Sequence, residues 1–62
     1  MRDYDINVKE LCTYTIRGAK SEQEAIIRAI DDFCNDDMFY GKKVTENVTE
    51  DDCVIDWYSN EY

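Results

Sequence analysis

Carboxylates are the commonest side chains in this sequence that can do chemistry, and several occur as adjacent pairs. The pairs are Asp31-Asp32, Asp36-Asp37 and Asp51-Asp52. Carboxylate oxygens are the ligands of Ca²⁺ and Mg²⁺, but no EF-hand spacing is present and adjacent acids on a helix point in different directions. A divalent-cation module is therefore the third option for function, and we expect no metal site.

The other residue types that support catalysis are absent or scattered. The chain has no histidine, which removes the commonest general base and metal ligand. Cys12, Cys34 and Cys53 match no zinc or redox spacing, and Gly18 and Gly41 are too isolated for a phosphate-binding loop. We expect no enzyme and no cofactor. The cysteines are interpreted as free thiols packed as small apolar side chains, with a disulfide or intermolecular bridge as the alternative.

The carboxylates concentrate in the later part of the chain. Residues 22–62 contain twelve acids and three bases, a net of −9 by difference, whereas residues 1–21 carry three acids and four bases. With a pI near 4.2, the protein should be repelled by phosphate backbones and anionic membranes. We therefore predict a protein partner with a basic surface, and neither direct nucleic-acid binding nor membrane binding.

Composition and length place limits on the architecture. Hydrophobic residues make up 44% and aromatic residues 13% of 62 residues, too much for a disordered acidic tail. We predict one acidic domain over residues 1–62. The sequence contains neither a signal-peptide pattern nor the run of about 20 apolar residues that spans a bilayer, so a cytoplasmic location is expected.

Three segments have the alternating pattern of half-buried strands. They are residues 3–9, residues 12–17 and residues 53–58. Lys9-Glu10-Leu11 is short enough for a hairpin bend, although it lacks a glycine, and Gly18 is expected to end the second strand.

A helix is predicted after the second strand. Ser21-Glu22-Gln23-Glu24 reads as a capping box, in which the Ser21 hydroxyl accepts from the Glu24 amide. An apolar stripe at helical spacing follows, broadened by its last two members: Ile26, Ala29, Ile30, Phe33, Ile27 and Cys34.

The predicted elements give an α+β domain of the type β-β-α-β(-β). We expect an antiparallel sheet of three or four strands in the order 2-1-3, with one helix on one face. An optional extra strand falls at residues 43–48, followed by a charged turn at 50–52. The residues expected under the helix are Tyr4, Ile6, Val8, Tyr14, Ile16, Ile55 and Trp57. The residues expected on the opposite face are Asp3, Asp5, Asn7, Thr13, Thr15, Asp56 and Tyr58.

One feature of the helix contradicts helix electrostatics. Asp31, Asp32, Asp36 and Asp37 crowd its end, where the helix dipole favours cations. Residues that contradict local rules are where function is expected, and the alternative is a solvated acidic helix face. The aromatic segment at 38–40 either caps the core or forms an exposed anchor for a partner.

The strand and helix motifs resemble a known family. Residues 4–10, 14–19 and 21–26 are similar to the small DpnD/PcfM-type domain, in which two short strands lead into a helix opening with a Ser-x-x-Glu-Ala-Ile pattern. The similarity covers roughly residues 3–36, and it implies an association with mobile elements and restriction loci, with no catalytic residues. The insert from Asp36 to Asp52 is longer than the link usual in that family.

Size and charge add a second resemblance, to phage-encoded anti-CRISPR and anti-restriction proteins that imitate DNA. We therefore predict an inhibitor that occupies the basic surface of a nucleic-acid-binding defence enzyme, either a CRISPR effector or a restriction enzyme. The alternative is a non-catalytic accessory domain acting by homodimerisation or by sheet-edge binding. The predicted partner-binding residues are Asp31, Asp32, Asp36, Asp37, Phe39, Tyr40, Glu50, Asp51, Asp52, Asp56 and Tyr58.

Overall fold

The described residues form a three-stranded antiparallel sheet with one helix packed against it, which confirms the predicted α+β class. The computed structural model describes residues 1–35 and 48–62. Its elements are strand β1 (Arg2–Val8), strand β2 (Cys12–Ala19), helix α1 (Glu22–Cys34), a 3-10 turn (Glu50–Asp52) and strand β3 (Cys53–Tyr58). The strand order is β2-β1-β3, with β1 antiparallel to both neighbours, as predicted.

The helix begins where the capping pattern predicts. The Ser21 side chain accepts from the Glu24 amide at 3.1 Å, and the Glu24 carboxylate accepts from the Lys20 amide at 3.2 Å. Arg28 lies 3.7 Å from Glu24 and also donates to the carbonyl of Arg17 at 3.0 Å. The first turns of α1 are thereby fixed to the end of β2.

The core lies between α1 and the two strands beneath it, β2 and β1. On the helix side it is formed by Ala25, Ala29 and Phe33, all completely buried. The two alanines let the backbone of α1 approach the sheet closely. The Phe33 and Tyr14 rings meet edge-on, with their centroids 6.5 Å apart. The buried strand residues are Tyr4, Ile6, Val8, Ile16 and Ala19.

Two residues expected to broaden the helix stripe do not reach the core. Ile27 is 57% exposed and Cys34 is also exposed, because both lie on the solvent side of α1. The three cysteines are free thiols, and Cys53 packs against the core.

A bulge in β3 overturns the predicted faces of its aromatic residues. Ile55 pairs with Ile6 and Trp57 pairs with Asp5, which leaves Asp56 as an extra residue between them. Directly opposed residues share a face, so Trp57 lies on the open face with Asp5. Strict alternation had placed Trp57 under the helix, and this was wrong because it assumed an uninterrupted ladder.

The same bulge moves Tyr58 to the helix side of the sheet. Tyr58 pairs with Tyr4, and their ring centroids are 6.3 Å apart. The Arg2 guanidinium lies 5.0 Å from the centre of the Tyr58 ring, a cation–π contact. The prediction that Tyr58 belongs to the open face is therefore wrong.

The end of β2 also differs from expectation, because the strand continues through Gly18 to Ala19. Gly18 has φ 65° and lies at a register shift between β1 and β2. Glycine suits this left-handed position because it has no Cβ. Its amide donates to the Asp3 carboxylate at 2.8 Å, which ties the irregular step to β1.

Residues 59–62 lie along the start of β1. The Ser59 amide donates to the Asp3 carbonyl at 2.8 Å, and the Tyr62 amide donates to the Met1 carbonyl at 2.7 Å. The Tyr62 hydroxyl donates to the Asp3 carboxylate at 2.7 Å. The optional strand at 43–48 lies outside the described residues, except for Val48, which packs against the core without belonging to a strand.

Candidate interaction surface

The topology brings separated acidic residues to one end of the sheet. Since α1 starts after β2 and runs back along it, Arg28 meets Arg17 and Phe33 meets Tyr14. The last helical turn therefore points toward the β1–β2 hairpin, and β3 starts beside the same hairpin, with Cys53 opposite Val8. We call this region the acidic end, and its carboxylates are Glu10, Asp31, Asp32, Glu50, Asp51 and Asp52.

The opposite end of the sheet has a balanced set of charges. Its bases are Arg2, Arg17, Lys20 and Arg28, and its acids are Asp3, Glu22, Glu24 and Glu61. We call this region the mixed end. The acidic end contains six acids and one base, Lys9, so its net charge is −5 by difference. The four acids and four bases of the mixed end give a net charge of zero. Among the described residues, charge is therefore polarised along the sheet.

The hairpin at the acidic end has a strained backbone. The Leu11 amide donates to the Val8 carbonyl at 3.0 Å, closing a turn with Lys9 and Glu10 at its centre. These two residues have φ values of 54° and 57°, in the left-handed region that side chains with a Cβ rarely adopt. Because Val8 pairs with Cys12, the connection consists of Lys9, Glu10 and Leu11. Its left-handed positions are formed without the asparagine and glycine that favour them.

The 3-10 turn is fixed beside the hairpin through Asp52. Its carboxylate accepts from the Thr49 amide at 3.0 Å and lies 3.4 Å from the Lys9 ammonium. The Lys9 amide donates to the Asp52 carbonyl at 2.8 Å. The hydrogen bond from Thr49, with a smaller effect of Lys9, lowers the pKa of the Asp52 carboxyl below its usual value. Asp52 thus holds the turn together, while Glu50 and Asp51 are exposed.

The end of the helix presents two further carboxylates to solvent. Asp31 and Asp32 are exposed, and the last turn contains no basic residue. Asn35 caps the helix by donating from its backbone amide and its side-chain amide to the Asp31 carbonyl, at 3.1 Å and 2.9 Å. Capping by a neutral amide leaves the negative end of the helix dipole and both carboxylates without a compensating cation from residues 1–35 or 48–62.

A shallow depression of about 450 Å³ opens between the hairpin and the 3-10 turn. Leu11, 54% exposed, and Val54, 55% exposed, are its apolar residues. The polar residues that line it are Lys9, Glu10, Asp51 and Asp52. An apolar patch inside a charged rim is the usual anatomy of a protein–protein contact. Sequence reasoning assigned Leu11 to the bend and missed its exposure, which follows only from the geometry of the turn.

The predicted partner-binding residues are only partly brought together. Asp31, Asp32, Glu50, Asp51 and Asp52 share the acidic end. Asp56 lies away from them on the open face, where the Thr13 hydroxyl approaches its carboxylate at 3.5 Å. Tyr58 lies on the helix side, under Arg2. The remaining predicted residues, Asp36, Asp37, Phe39 and Tyr40, lie outside the described residues.

The described part of this surface offers exposed carboxylates and a shallow, partly apolar depression. Within residues 1–35 and 48–62, no three His, Cys, Asp or Glu side chains are grouped to hold a metal ion. The described part of the chain also has no helix with the length and apolar character that crossing a bilayer requires. No protein-family model, curated protein or solved structure matches this chain.

Proposed function

We propose that this is a non-catalytic inhibitor that occupies the basic nucleic-acid-binding surface of a partner protein with its acidic end. The observation that carries the proposal is the polarity of charge along the sheet. Glu10, Asp31, Asp32, Glu50 and Asp51 have no cation within ion-pair distance among the described residues, and all five are exposed. They are therefore available to a cationic partner.

The physical basis is the match between these carboxylates and the phosphates they would replace. Duplex DNA carries about one negative charge per 1.7 Å of axis, and proteins that bind it present Lys and Arg in a groove. A folded domain with fixed carboxylates can enter such a groove and release the same counterions. Leu11 and Val54 would add apolar contact at the centre of the charged rim.

We further propose that the partner is a bacterial defence enzyme, of the CRISPR-effector or restriction type, in the host cytoplasm. The support is the resemblance in size and charge to phage-encoded DNA mimics, together with the mobile-element association of the DpnD/PcfM-type domain. In this view the protein carries no cofactor and touches neither nucleic acid nor membrane. Repulsion by its net charge of −8 disfavours both contacts.

The experiment is a competition assay on a panel of purified CRISPR effectors and restriction enzymes with labelled DNA. We expect the protein to displace DNA from at least one of them. The inhibition should weaken steeply with added salt, since exposed charges are screened beyond about 8 Å at 0.15 M ionic strength.

The matched variants are Asp31→Lys/Asp32→Lys at the acidic end and Glu22→Lys/Glu61→Lys at the mixed end. Both pairs change the net charge equally, at exposed positions. We expect the first pair to weaken inhibition about tenfold or more, and the second by about threefold or less. Equal losses would show that total charge, not the acidic end, drives the effect. Inhibition of no enzyme in the panel would refute the target class.

A further inference from the structure

Strand β3 is apolar in sequence but exposed in the structure. None of its six residues is buried, and Val54, Trp57 and Tyr58 are each more than half exposed. The helix packs on β2 and β1, and β3 forms one edge of the sheet. Among the described residues, both faces of β3 are therefore open at several positions, which is unusual for a strand of this composition.

The outer edge of β3 also presents backbone hydrogen-bonding groups. The Lys9 amide donates to the Asp52 carbonyl and the Ser59 amide donates to the Asp3 carbonyl, so these positions bond toward β1. Backbone groups alternate in direction along an antiparallel ladder, and the bulge at Asp56 shifts this alternation by one residue. Ile55 consequently directs its amide and its carbonyl outward, and Cys53 directs its carbonyl outward, where no described strand pairs with them. The Cys53 amide instead donates to the Glu50 carbonyl within the 3-10 turn.

The charged residues that flank β3 in the sequence all have one sign. Residues 44–62 contain no Lys or Arg, and four acids near β3 are exposed: Glu50, Asp51, Asp56 and Glu61. Trp57 presents an open ring on the same face as Asp5, its cross-strand partner. Tyr58 already has the Arg2 guanidinium over its ring, whereas no described Lys or Arg lies over Trp57. An aromatic ring flanked by carboxylates is a favourable binding position for a cationic side chain.

We propose that β3 accepts, by strand addition, an extended segment of a partner protein that carries Lys or Arg residues. The segment would bond to the outward groups of Cys53 and Ile55 and place a cation between Trp57 and Asp56. Main-chain bonds supply affinity in this mode of recognition, and side-chain contacts supply specificity. A second copy of this chain is the poorer occupant, because pairing β3 with itself brings together two segments whose charged side chains are all acidic. The proposal does not depend on the acidic end.

The test uses the full chain and three short capped peptides: one alternating lysine with valine, one alternating glutamate with valine, and one lysine–valine peptide with a central proline. Binding is followed by emission of Trp57, the chain's only tryptophan, and by hydrogen exchange at the Ile55 amide. We expect the first peptide to bind at least about tenfold more tightly than either of the others and to slow exchange at the Ile55 amide.

The control variants are Asp56→Lys on β3 and Asp31→Lys on the helix, which change the net charge equally at exposed positions. Only Asp56→Lys should weaken the binding of the lysine–valine peptide appreciably, by about fivefold or more. Strand addition would be overturned by any one of three results. The proline-containing peptide binds as tightly as the lysine–valine peptide, exchange at the Ile55 amide is unchanged, or the two variants weaken binding equally. A dimer of the free protein in sedimentation, abolished by Asp56→Lys, would overturn the choice of occupant.

Discussion

Both ends of the sheet carry several carboxylates, but within the described residues most carboxylates of the acidic end lack the hydrogen bonds that Asp3 and Glu24 make at the mixed end. At the mixed end, Asp3 accepts from Gly18 and Tyr62, and Glu24 caps the helix. At the acidic end Asp52 has a comparable structural role, bonded to Thr49 and Lys9, but its five acidic neighbours do not. A carboxylate with internal partners is explained by folding. Those without such partners, among the described residues, are the ones for which an external partner is proposed.

The largest expected effect comes from the residue that fixes the acidic end of the helix to the sheet. Phe33 is completely buried, so Phe33→Ala should lower the free energy of unfolding by about 3–5 kcal/mol, through lost burial and the cavity left behind. Urea unfolding measures it. Ile27→Ala, at an exposed position of the same helix, should change stability by about 0.5 kcal/mol or less. Similar losses in the two variants would contradict the placement of α1.

A second prediction compares the left-handed positions at the two ends. Gly18→Ala should cost roughly 1–2 kcal/mol, because φ is 65° there. The added Cβ would meet the Tyr62 hydroxyl at 3.7 Å, an ordinary contact, so backbone strain is the cause. Glu10→Gly, at φ 57°, should instead raise stability by about 1 kcal/mol or less, since glycine relieves strain but loses more entropy on folding. Thermal melts of both variants check the opposite signs, and equal signs would contradict the account.

The third prediction concerns the helix dipole, which acts with opposite sign at its two termini. Asp32→Lys should raise the free energy of unfolding by about 0.3–1 kcal/mol, because a cation is favourable at the end of α1. Glu22→Lys should lower it by a similar amount, since Glu22 lies in the first turn. Urea unfolding at low salt shows the effect best. Stabilisation by both substitutions would indicate that relief of net charge outweighs the dipole.

The smallest expected effect is a pH dependence at the mixed end. Hydrogen bonds from the Tyr62 hydroxyl and then the Gly18 amide lower the pKa of the Asp3 carboxyl. A lowered pKa in the folded state stabilises the protein above the ordinary carboxyl pKa of about 4, and this stabilisation is lost as the pH falls through the lowered value. Asp3→Asn should therefore reduce stability at pH 7 and much less at about pH 3. The same deficit at both pH values, measured by urea unfolding, would exclude this origin.

Local rules predicted most of the fold. The alternation at Tyr4–Val8, the Ser21 cap and the apolar helix stripe gave the strands, the helix and their order, because each depends on neighbouring residues. The bulge at Asp56 was not predictable in this way. It depends on how β3 meets β1, and it exchanges the faces of Trp57 and Tyr58. Similarly, the docking of Tyr62 on Asp3 joins residues at opposite ends of the sequence.

The candidate surface was predictable in charge but not in shape. Net charge and the Asp31-Asp32 pair are visible in the sequence, and so is the acidic turn that contains Asp51. That Asp52 is tied to Lys9, and that Leu11 projects from a left-handed turn, depends on tertiary contacts and backbone angles. Periodicity carries no information on either.

The most direct test of the charge polarity is a titration of the isotopically labelled protein with a short lysine oligomer, followed by amide chemical shifts. If charge is polarised, the largest chemical-shift changes occur at acidic-end residues such as Glu10, Asp31 and Glu50, and those at Glu22 and Glu61 are small. All of these changes disappear at high salt. Shifts of equal size at the two ends, or larger shifts at the mixed end, would contradict the acidic end as the interaction surface.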